Sequence, residues 1–338
     1  MKKIFLVLLI SSFLFSSTVL SVYAFTRSKS MGKSTPDPVI NCLILGADEA
    51  SGNTDVMILV GYQPTKKSLT LMQIPRDTYY RADGEEMKIN HLYNAAIADG
   101  ENEKNALYFV ADAISHAFSV PIHASVLLRL DALSAFVDEI GGVPLNVPVT
   151  MQYRDDEQGL LIDLPQGERV LTGKEAVQFI RFRADYLMGD LGRLDAQKIF
   201  LAALYKKLAS TPDAIKTAFS YLQNGSCTVA RKDSLSLPAL FSLAYTDRQE
   251  LDLYFLSVPG EATLSEGIWY YTPRKAALSA VLGEHFSEPT FDAASFDPNQ
   301  CFCKQSDPQM TRIYFDTDLS YKIYTPDDID DIIITKKE

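Results

Sequence analysis

VINCLILG (Val39–Gly46), DVMILVGY (Asp55–Tyr62) and SLTLMQI (Ser68–Ile74) are three short apolar runs that decide the fold. Each run has the length and composition of a buried β-strand. Eight residues separate the first two runs, and five separate the second from the third. Such short connections favour antiparallel hairpins, because a parallel crossover needs a dozen residues or more. The sequence therefore predicts a sheet whose first three strands run up, down and up.

This strand order predicts that charged side chains meet at one edge of the sheet. Asp48 follows the first strand, Asp55 starts the second, and Arg76 follows the third. Two neighbouring carboxylates repel each other unless a cation or a proton relieves them, and Mg²⁺ often takes one or two carboxylates together with substrate phosphates. The alternative is that both aspartates are loop residues, either solvated or capping turns.

Helical and strand-like segments alternate downstream, which indicates an α/β domain. We expect a three-layer α/β/α sandwich with a mixed, partly antiparallel central sheet. Thr172 and Glu175 have the spacing of a capping box at the start of one helix, and Asp131 is the expected N-cap of another. Residues 225–338 are less periodic, and no architecture is predicted for them. The expected strands span 121–130, 143–149 and 159–164, and the expected helices begin at 103, 131, 172 and 193.

The stretch RFRADYLMGDLGRLDAQK (Arg181–Lys198) places three arginines within thirteen residues of a chain whose formal net charge is -11. Guanidinium groups at this density are typical of phosphate or carboxylate sites, because the planar fork donates two parallel hydrogen bonds. The acidic balance of the whole chain argues against a nucleic acid partner, so a phosphate site here is local. The alternative is a salt-bridged face. Its local partners are Asp185, Asp190 and Asp195.

Local geometry places these arginines on common surfaces. In extended chain after the capped helix, Arg181 and Arg183 share one side and Phe182 points into the core. Arg193 and Gln197 share one helix face near a helix N-terminus, where backbone N–H groups favour an anion. The first half of the chain supplies carboxylates, and the second half supplies guanidiniums. This combination of groups is typical of a phosphoryl-transfer or pyrophosphate site.

The N-terminus predicts a membrane anchor. Lys2 and Lys3 precede an uncharged run of 22 residues from Ile4 to Phe25, and about 20 residues cross a bilayer. We expect residues 1–25 to be an uncleaved transmembrane helix with a cytoplasmic N-terminus and the remaining chain outside the cell. A cleaved signal peptide is the alternative. Residues 26–38 are polar and end in prolines, as a linker does.

Four cysteines are too few for a disulfide scaffold. Cys42 lies in an apolar strand and is expected in the core. A disulfide from Cys227 to Cys301 or Cys303 stays open as an alternative to free thiols.

An ordered set of motifs resembles the LytR–CpsA–Psr family. The set is NCLILGAD, TDVMILV, LTLMQIPRDTYY, KINHLYNAA, DALSAFVDEIGGVPLNVP, GLLIDLPQGERVLTGKEAVQFIRFR and GDLGRLDAQ. The match covers about residues 39–210, with weaker similarity to about 282. The expected catalytic domain is therefore 39–282, followed by a C-terminal extension of unknown role at 283–338.

The resemblance implies a membrane-anchored enzyme of the bacterial envelope. Members of this family transfer glycopolymers, such as teichoic acid or capsular polysaccharide, from an undecaprenyl-pyrophosphate carrier to peptidoglycan. The acceptor is the C6 hydroxyl of N-acetylmuramic acid, and the product is a phosphodiester. Two alternatives stay open: a polyprenyl-pyrophosphate hydrolase, and a non-catalytic binding or regulatory protein of the envelope.

The resemblance also implies roles for individual residues. The family's metal-site aspartates fall on Asp48 and Asp55, which implies Mg²⁺, with Mn²⁺ as the alternative ion. Asp55 is also the candidate for deprotonating the sugar hydroxyl. The predicted catalytic residues are Asp48, Asp55, Arg76, Arg183 and Arg193. The predicted pyrophosphate-binding residues are Arg76, Asp77, Lys88, Arg181, Arg183, Arg193 and Gln197.

The chain departs from the family pattern in three places. The segment between Asp48 and Asp55 is short and lacks an arginine often found there. Ala196 stands where the family has a second arginine in its GRxxRQ motif. About 55 residues, including Cys301 and Cys303, follow the recognisable domain.

Overall fold

The computed structural model describes residues 39–47, 54–82, 85–156, 160–223, 225–231, 251–287, 311–312, 323–329, 332 and 334–335. The expected anchor (1–25), the linker (26–38), Asp48, Cys301 and Cys303 lie outside these residues. In the described part of the chain, no helix has the length and apolar character needed to cross a bilayer.

The described residues form fifteen strands and seven α-helices. The strands are β1 (Ile40–Ala47), β2 (Thr54–Gln63), β3 (Ser68–Gln73), β4 (Tyr79–Ala82), β5 (Glu85–Lys88), β6 (Ala124–Arg129), β7 (Val143–Val147), β8 (Met151–Asp155), β9 (Leu160–Leu164), β10 (Gly167–Leu171), β11 (Cys227–Arg231), β12 (Asp252–Ser257), β13 (Gly260–Ser265), β14 (Ile268–Pro273) and β15 (Thr311–Arg312). The helices are α1 (Leu92–Ala98), α2 (Glu103–Phe118), α3 (Leu130–Glu139), α4 (Gly173–Arg181), α5 (Asp190–Ser210), α6 (Pro212–Gln223) and α7 (Lys275–His285).

A mixed six-stranded sheet forms the centre of the domain, in the order β11-β6-β1-β2-β3-β12. The pairs β1–β2 and β2–β3 are antiparallel, as the short connections predict. Strands that follow long connections are parallel to their neighbours: β6 lies parallel to β1, and β12 lies parallel to β3. The prediction of an α/β domain around a mixed, partly antiparallel sheet is confirmed.

Helices cover both faces of this sheet. On one face, Leu43 and Leu45 of β1 share a buried cluster with Val110 and Ile114 of α2 and with residues of α1 and α7. On the other face, Ala202 of α5 packs against Leu253 and Phe255 of β12. A third apolar cluster joins α3, α4 and α5 to the small strands β7–β10. Helix α5 therefore lies between the sheet and these small strands.

The structure confirms one predicted helix start and corrects another. The capping box at α4 is confirmed, because the Thr172 side chain accepts from the Glu175 backbone N–H while Glu175 reaches back to Thr172. The predicted N-cap at Asp131 is wrong. Helix α3 begins one residue earlier, at Leu130, and the Asp131 carboxylate accepts from the Ala132 N–H at 2.7 Å inside the first turn.

Cys42 and Cys227 are free thiols; Cys227 is buried and Cys42 is partly buried. Burial of Cys42 in β1 raises the pKa of its thiol to about 12. A thiol with so high a pKa stays protonated and unreactive at neutral pH, which fits the core role expected for it.

Candidate functional site

Asp55 and Arg76 meet at one edge of the central sheet. Asp55 is the second residue of β2, and Arg76 lies in the turn that follows β3. Because β2 and β3 are antiparallel, the start of one strand and the end of the other share an edge. The Arg76 Nη1 lies 2.8 Å from the Asp55 Oδ1. The convergence expected of these two residues is thus observed, while Asp48 lies outside the described residues.

A tight turn holds Arg76 in place. The Pro75 carbonyl accepts hydrogen bonds from the Thr78 backbone N–H at 3.0 Å and from the Thr78 hydroxyl at 2.6 Å. The Arg76 carbonyl accepts from the Asn90 N–H at 3.3 Å. The backbone that carries the guanidinium is therefore fixed on both sides, which preorganises the side chain for a ligand.

The first turn of α5 adds a second guanidinium and a bridging carboxylate. Gly189 precedes the helix with a φ of 55°, a positive value that glycine adopts without strain. The Asp190 Oδ1 lies 2.8 Å from the Arg193 Nη2 and 3.3 Å from the Arg76 Nε. Arg193 also donates from Nη2 to the Asp55 carbonyl at 3.2 Å. Asp190 thus joins the arginines of the two halves of the chain.

Arg193 is the most deeply buried charge of this cluster, with only 3% of its surface exposed. Burial lowers the pKa of Arg193; Asp190 opposes the shift, and the positive charges of Arg76 and Arg183 add to it. A guanidinium nevertheless stays protonated in proteins. The Arg193 Nε is buried and has no hydrogen-bond acceptor among the described residues. An unsatisfied buried donor is costly, so this N–H calls for an acceptor that the described residues do not supply.

The pKa of Arg76 shifts in the opposite direction. Burial alone would lower the pKa of its guanidinium, but Asp190 and Asp55 raise it more strongly, and the net shift is upward. Arg76 is therefore held in its charged form by the two carboxylates that border it.

Arg181 is the last residue of α4, so the prediction of extended chain from Arg181 is wrong and the extended segment begins at Phe182. Phe182 is extended and buried, and its ring lies 5.1 Å from the ring of Tyr186 in an edge-on packing. Arg181 is half-buried in the last turn of the helix, and Arg183 is exposed. The Arg183 carbonyl faces the Tyr186 N–H at 3.4 Å, and the Tyr186 side chain packs on Gly192 in the first turn of α5.

Asp77 and Lys88 form a separate ion pair beside Arg76. Their Oδ1 and Nζ atoms are 2.8 Å apart. The Lys88 ammonium also lies 6.0 Å from the centre of the Tyr270 ring, and the Asp77 carbonyl accepts from the Tyr271 N–H at 2.8 Å. This pair ties the β4–β5 hairpin and β14 to the edge that carries the arginines.

Gln197 lies one turn beyond Arg193 and is buried. Its Nε2 donates to the Ile180 carbonyl at 3.1 Å, and its Oε1 accepts from the Gln73 Nε2 at 3.2 Å. Both ends of the amide are therefore used inside the protein. The side chain joins β3, α4 and α5 rather than opening onto the cluster.

The alternative of a salt-bridged face accounts for part of the pattern. Asp190 pairs with Arg193, and Asp195 pairs with Lys198 at 2.7 Å. At the sheet edge, however, the carboxylates of Asp55 and Asp190 contact the guanidiniums of Arg76 and Arg193, so these ion pairs join distant parts of the chain and not only neighbours on one helix.

The bridging role of Asp190 escaped sequence reasoning. The sequence marks it only as a local partner for nearby arginines. Its contact with Arg76, far away in the chain, depends on how α5 crosses the sheet, and no spacing in the sequence reports that crossing.

The residues at this edge can hold a magnesium ion only if further ligands complete its coordination shell. The described residues contain no group of three or more His, Cys, Asp or Glu side chains that could hold a metal ion. Mg²⁺ commonly binds through one or two carboxylates and completes its shell with water and substrate phosphates. The Asp55 carboxylate is half-exposed and, after bonding Arg76 through one oxygen, retains acceptor capacity.

This α/β domain gathers arginines and a helix N-terminus at one edge of its central sheet, an arrangement that is typical of anion-binding sites. The chain belongs to the LytR_cpsA_psr family, because the model of that family matches residues 16–286.

Named relatives agree with this membership. The chain is 28% identical over 249 residues to a polyisoprenyl-teichoic acid–peptidoglycan teichoic acid transferase TagU of Oceanobacillus iheyensis, covering 72% of this chain and 74% of the relative. It is 27% identical over 282 residues to TagU of Bacillus subtilis, covering 80% of this chain and 85% of the relative. The crystal structure of B. subtilis TagV shares the fold, with a TM-score of 0.57 and 24% identity, covering 74% of this chain and 98% of that one.

Proposed function

We propose that this protein transfers a glycopolymer of the teichoic acid or capsular polysaccharide type from an undecaprenyl-pyrophosphate carrier to peptidoglycan. The acceptor is the C6 hydroxyl of N-acetylmuramic acid, and a phosphodiester is formed. The observation that carries the proposal is the cluster of Arg76, Arg193 and Asp190, in which a buried guanidinium N–H lacks an acceptor among the described residues. The TagU relatives are named as polyisoprenyl-teichoic acid–peptidoglycan teichoic acid transferases, which supports the transfer of a glycopolymer to peptidoglycan.

In this proposal the hydroxyl oxygen attacks the phosphorus that carries the polymer. The bond from that phosphorus to the bridging oxygen breaks, and undecaprenyl phosphate leaves. The hydroxyl proton passes to a carboxylate at the same edge, for which Asp55 is our candidate. Arg76, Arg181, Arg183 and Arg193 bind the pyrophosphate and stabilise the charge that develops in the transition state.

Residues around the arginines have supporting roles in the proposal. Asp77 and Lys88 form the polar border of the site, and Gln197 orients α5 through its bonds to Ile180 and Gln73. Asp55, together with Asp48, would hold Mg²⁺ or Mn²⁺. The ion supplies positive charge that neutralises the pyrophosphate oxygens.

The first test uses the full chain in detergent with a polyprenyl-pyrophosphate-linked sugar and peptidoglycan oligomers. We expect mass spectrometry to detect a phosphodiester adduct with Mg²⁺, and EDTA to lower its rate at least about tenfold. Asp55→Asn should raise the Mg²⁺ concentration needed for half-maximal rate. The matched control is Asp156→Asn, which alters a highly exposed aspartate of the β8–β9 turn.

Three results would contradict the proposal in different ways. Free polymer phosphate without an adduct would indicate a hydrolase. Binding of the lipid without turnover would indicate a non-catalytic envelope protein. An undiminished rate in EDTA would remove the metal from the mechanism.

We also propose that residues 1–25 anchor the three-layer domain to the cell membrane, with the N-terminus in the cytoplasm and the domain outside. The apolar run after Lys2 and Lys3 supports this arrangement. Protease added to intact cells should digest the domain while a cytoplasmic marker protein stays whole. Protection of the domain until the membrane is lysed would contradict the orientation.

A further inference from the structure

The described residues of 323–335, here called the C-terminal strap, lie beyond the matched family region and pack on the domain. Tyr324 exchanges two backbone hydrogen bonds with Phe255, at 2.8 and 2.9 Å. Phe255 belongs to β12, the last strand of the central sheet. The strap therefore begins by pairing with the edge of that sheet.

Apolar side chains then anchor the strap. Tyr324, Ile329 and Ile332 are buried in one cluster with Ala202 of α5 and with residues of β12. A local turn separates Tyr324 from the two isoleucines, and in this turn the Asp328 carboxylate accepts from the Thr325 hydroxyl at 2.7 Å. Burial of three large apolar side chains removes their surface from water and so holds a short segment firmly.

The strap also covers a charged pair of α5. The Lys198 ammonium lies 2.7 Å from the Asp195 Oδ1 and 5.8 Å from the centre of the Tyr324 ring. Only 1% of the Lys198 surface is exposed. Lys198 follows Gln197 directly, so the strap rests on the same helix that presents Arg193 at its first turn.

At its far end the strap reaches the loop that carries Arg183. The Leu187 backbone N–H donates to the Thr335 carbonyl at 2.9 Å. Residues 182–189 connect α4 to α5, and this loop is here called the arginine loop. The Leu187 side chain is 57% exposed, so the loop at this point is held through its backbone.

The inner side of the arginine loop is fixed by aromatic packing. Tyr186 is fully buried, and its N–H is directed at the Arg183 carbonyl at 3.4 Å. A Cβ on Gly192 would lie 2.7 Å from the Tyr186 Cβ, so this ring packs directly on the first turn of α5. The bond from Leu187 to the strap secures the outer side of the same loop.

We propose that the C-terminal strap is a positioning element of the pyrophosphate site. The Thr335 carbonyl, held in place by Tyr324, Ile329 and Ile332, fixes the arginine loop. It thereby limits the positions that the exposed Arg183 can take next to the first turn of α5. The inference rests on the proposed function, in which Arg183 contacts pyrophosphate. A loop that is ordered before binding loses less conformational entropy when the anion arrives, so affinity rises without a new contact to the ligand.

The experiment compares two chains shortened only at the C-terminus, one ending at Ile334 and one ending at Thr335. Both lack the charged residues 336–338, but only the first lacks the acceptor of the Leu187 N–H. We expect hydrogen exchange at the Leu187 amide to be about tenfold faster in the shorter chain. We expect its dissociation constant for inorganic pyrophosphate, measured calorimetrically with Mg²⁺, to rise about fivefold, and kcat for transfer to fall while the KM for peptidoglycan stays unchanged.

A second variant distinguishes the loss of this one hydrogen bond from a general destabilisation caused by the deletion. Leu187→Pro removes the donor N–H and leaves the strap intact, so it should weaken pyrophosphate binding to a similar extent. Unchanged exchange at Leu187, or unchanged pyrophosphate affinity despite faster exchange, would overturn the proposal. If the intact protein binds no pyrophosphate, the proposed function is wrong. The strap is then not a positioning element of a pyrophosphate site, even if the exchange data show that it holds the arginine loop.

Discussion

Replacement of Arg183 by alanine should lower the rate of glycopolymer transfer by about 10²–10³-fold, the range found when one donor to a developing oxyanion is removed. Arg183 is exposed, so its removal leaves the core and the other ion pairs intact. It lies on the loop whose Tyr186 side chain packs on the first turn of α5, the helix that presents Arg193. The rate is measured by mass spectrometry of the peptidoglycan adduct, and thermal unfolding should be unchanged within about 1 °C.

The matched control for this prediction is Arg154→Ala. Arg154 is also an exposed arginine, and it pairs with Asp156 at 2.7 Å on the β8–β9 hairpin. Its removal changes the net charge equally but should leave the transfer rate within a factor of two. Equal losses in both variants would indicate long-range electrostatics, and full activity of Arg183→Ala would remove Arg183 from the site.

The parts of the fold that sequence reasoning predicted are those governed by local chemistry. The connections of eight and five residues are too short for crossovers, so β1, β2 and β3 had to form hairpins. The Thr172–Glu175 capping box has a fixed spacing that follows from the geometry of one helical turn. The meeting of Asp55 and Arg76 follows from the first of these inferences without any further knowledge of the fold.

The parts that escaped prediction depend on long-range packing. The positions of β6 and β12 in the sheet follow connections too long for a spacing argument. Helix α5 begins at Asp190, three residues before the predicted start, because Gly189 turns the chain with a positive φ. That shift makes Asp190 a first-turn residue aimed at Arg76.

Ala196 illustrates how the structure changes the meaning of a sequence difference. The family pattern has an arginine at this position, so alanine suggests a lost substrate contact. The Ala196 side chain is fully buried in the apolar cluster that contains Phe179 and Phe182. In this protein the position faces the core, where a guanidinium would have to be buried without a partner at high cost.

Replacement of Asp190 by asparagine should have the largest effect on stability, a loss of about 2–4 kcal/mol in the free energy of unfolding. Asparagine keeps the size of the side chain but removes the charge that lies between Arg76 and Arg193. Two guanidiniums, one of them buried, then face each other with only Asp55 to offset them. Chemical denaturation with a two-state fit measures the loss.

Pyrophosphate should partly reverse this loss, because the anion can take the place of the missing carboxylate. Inorganic pyrophosphate should therefore raise the unfolding temperature of Asp190→Asn by more than that of the unaltered protein, through its preferential binding to the folded state. The comparison is made at one ionic strength, because salt screens exposed charges. A sulfate titration at equal ionic strength distinguishes a specific site from general anion effects.

Asp195→Asn is the matched control, since it breaks an ion pair of the same spacing on the same helix. Asp195 lies 2.7 Å from the buried Lys198, which the Tyr324 ring covers. This variant should also lose stability, but pyrophosphate should not restore it, because Lys198 is enclosed and lies away from the sheet edge. Equal rescue of both variants would mean that the anion binds elsewhere. Absence of rescue in Asp190→Asn would mean that the carboxylate is a structural counter-ion and that the pyrophosphate lies on other donors.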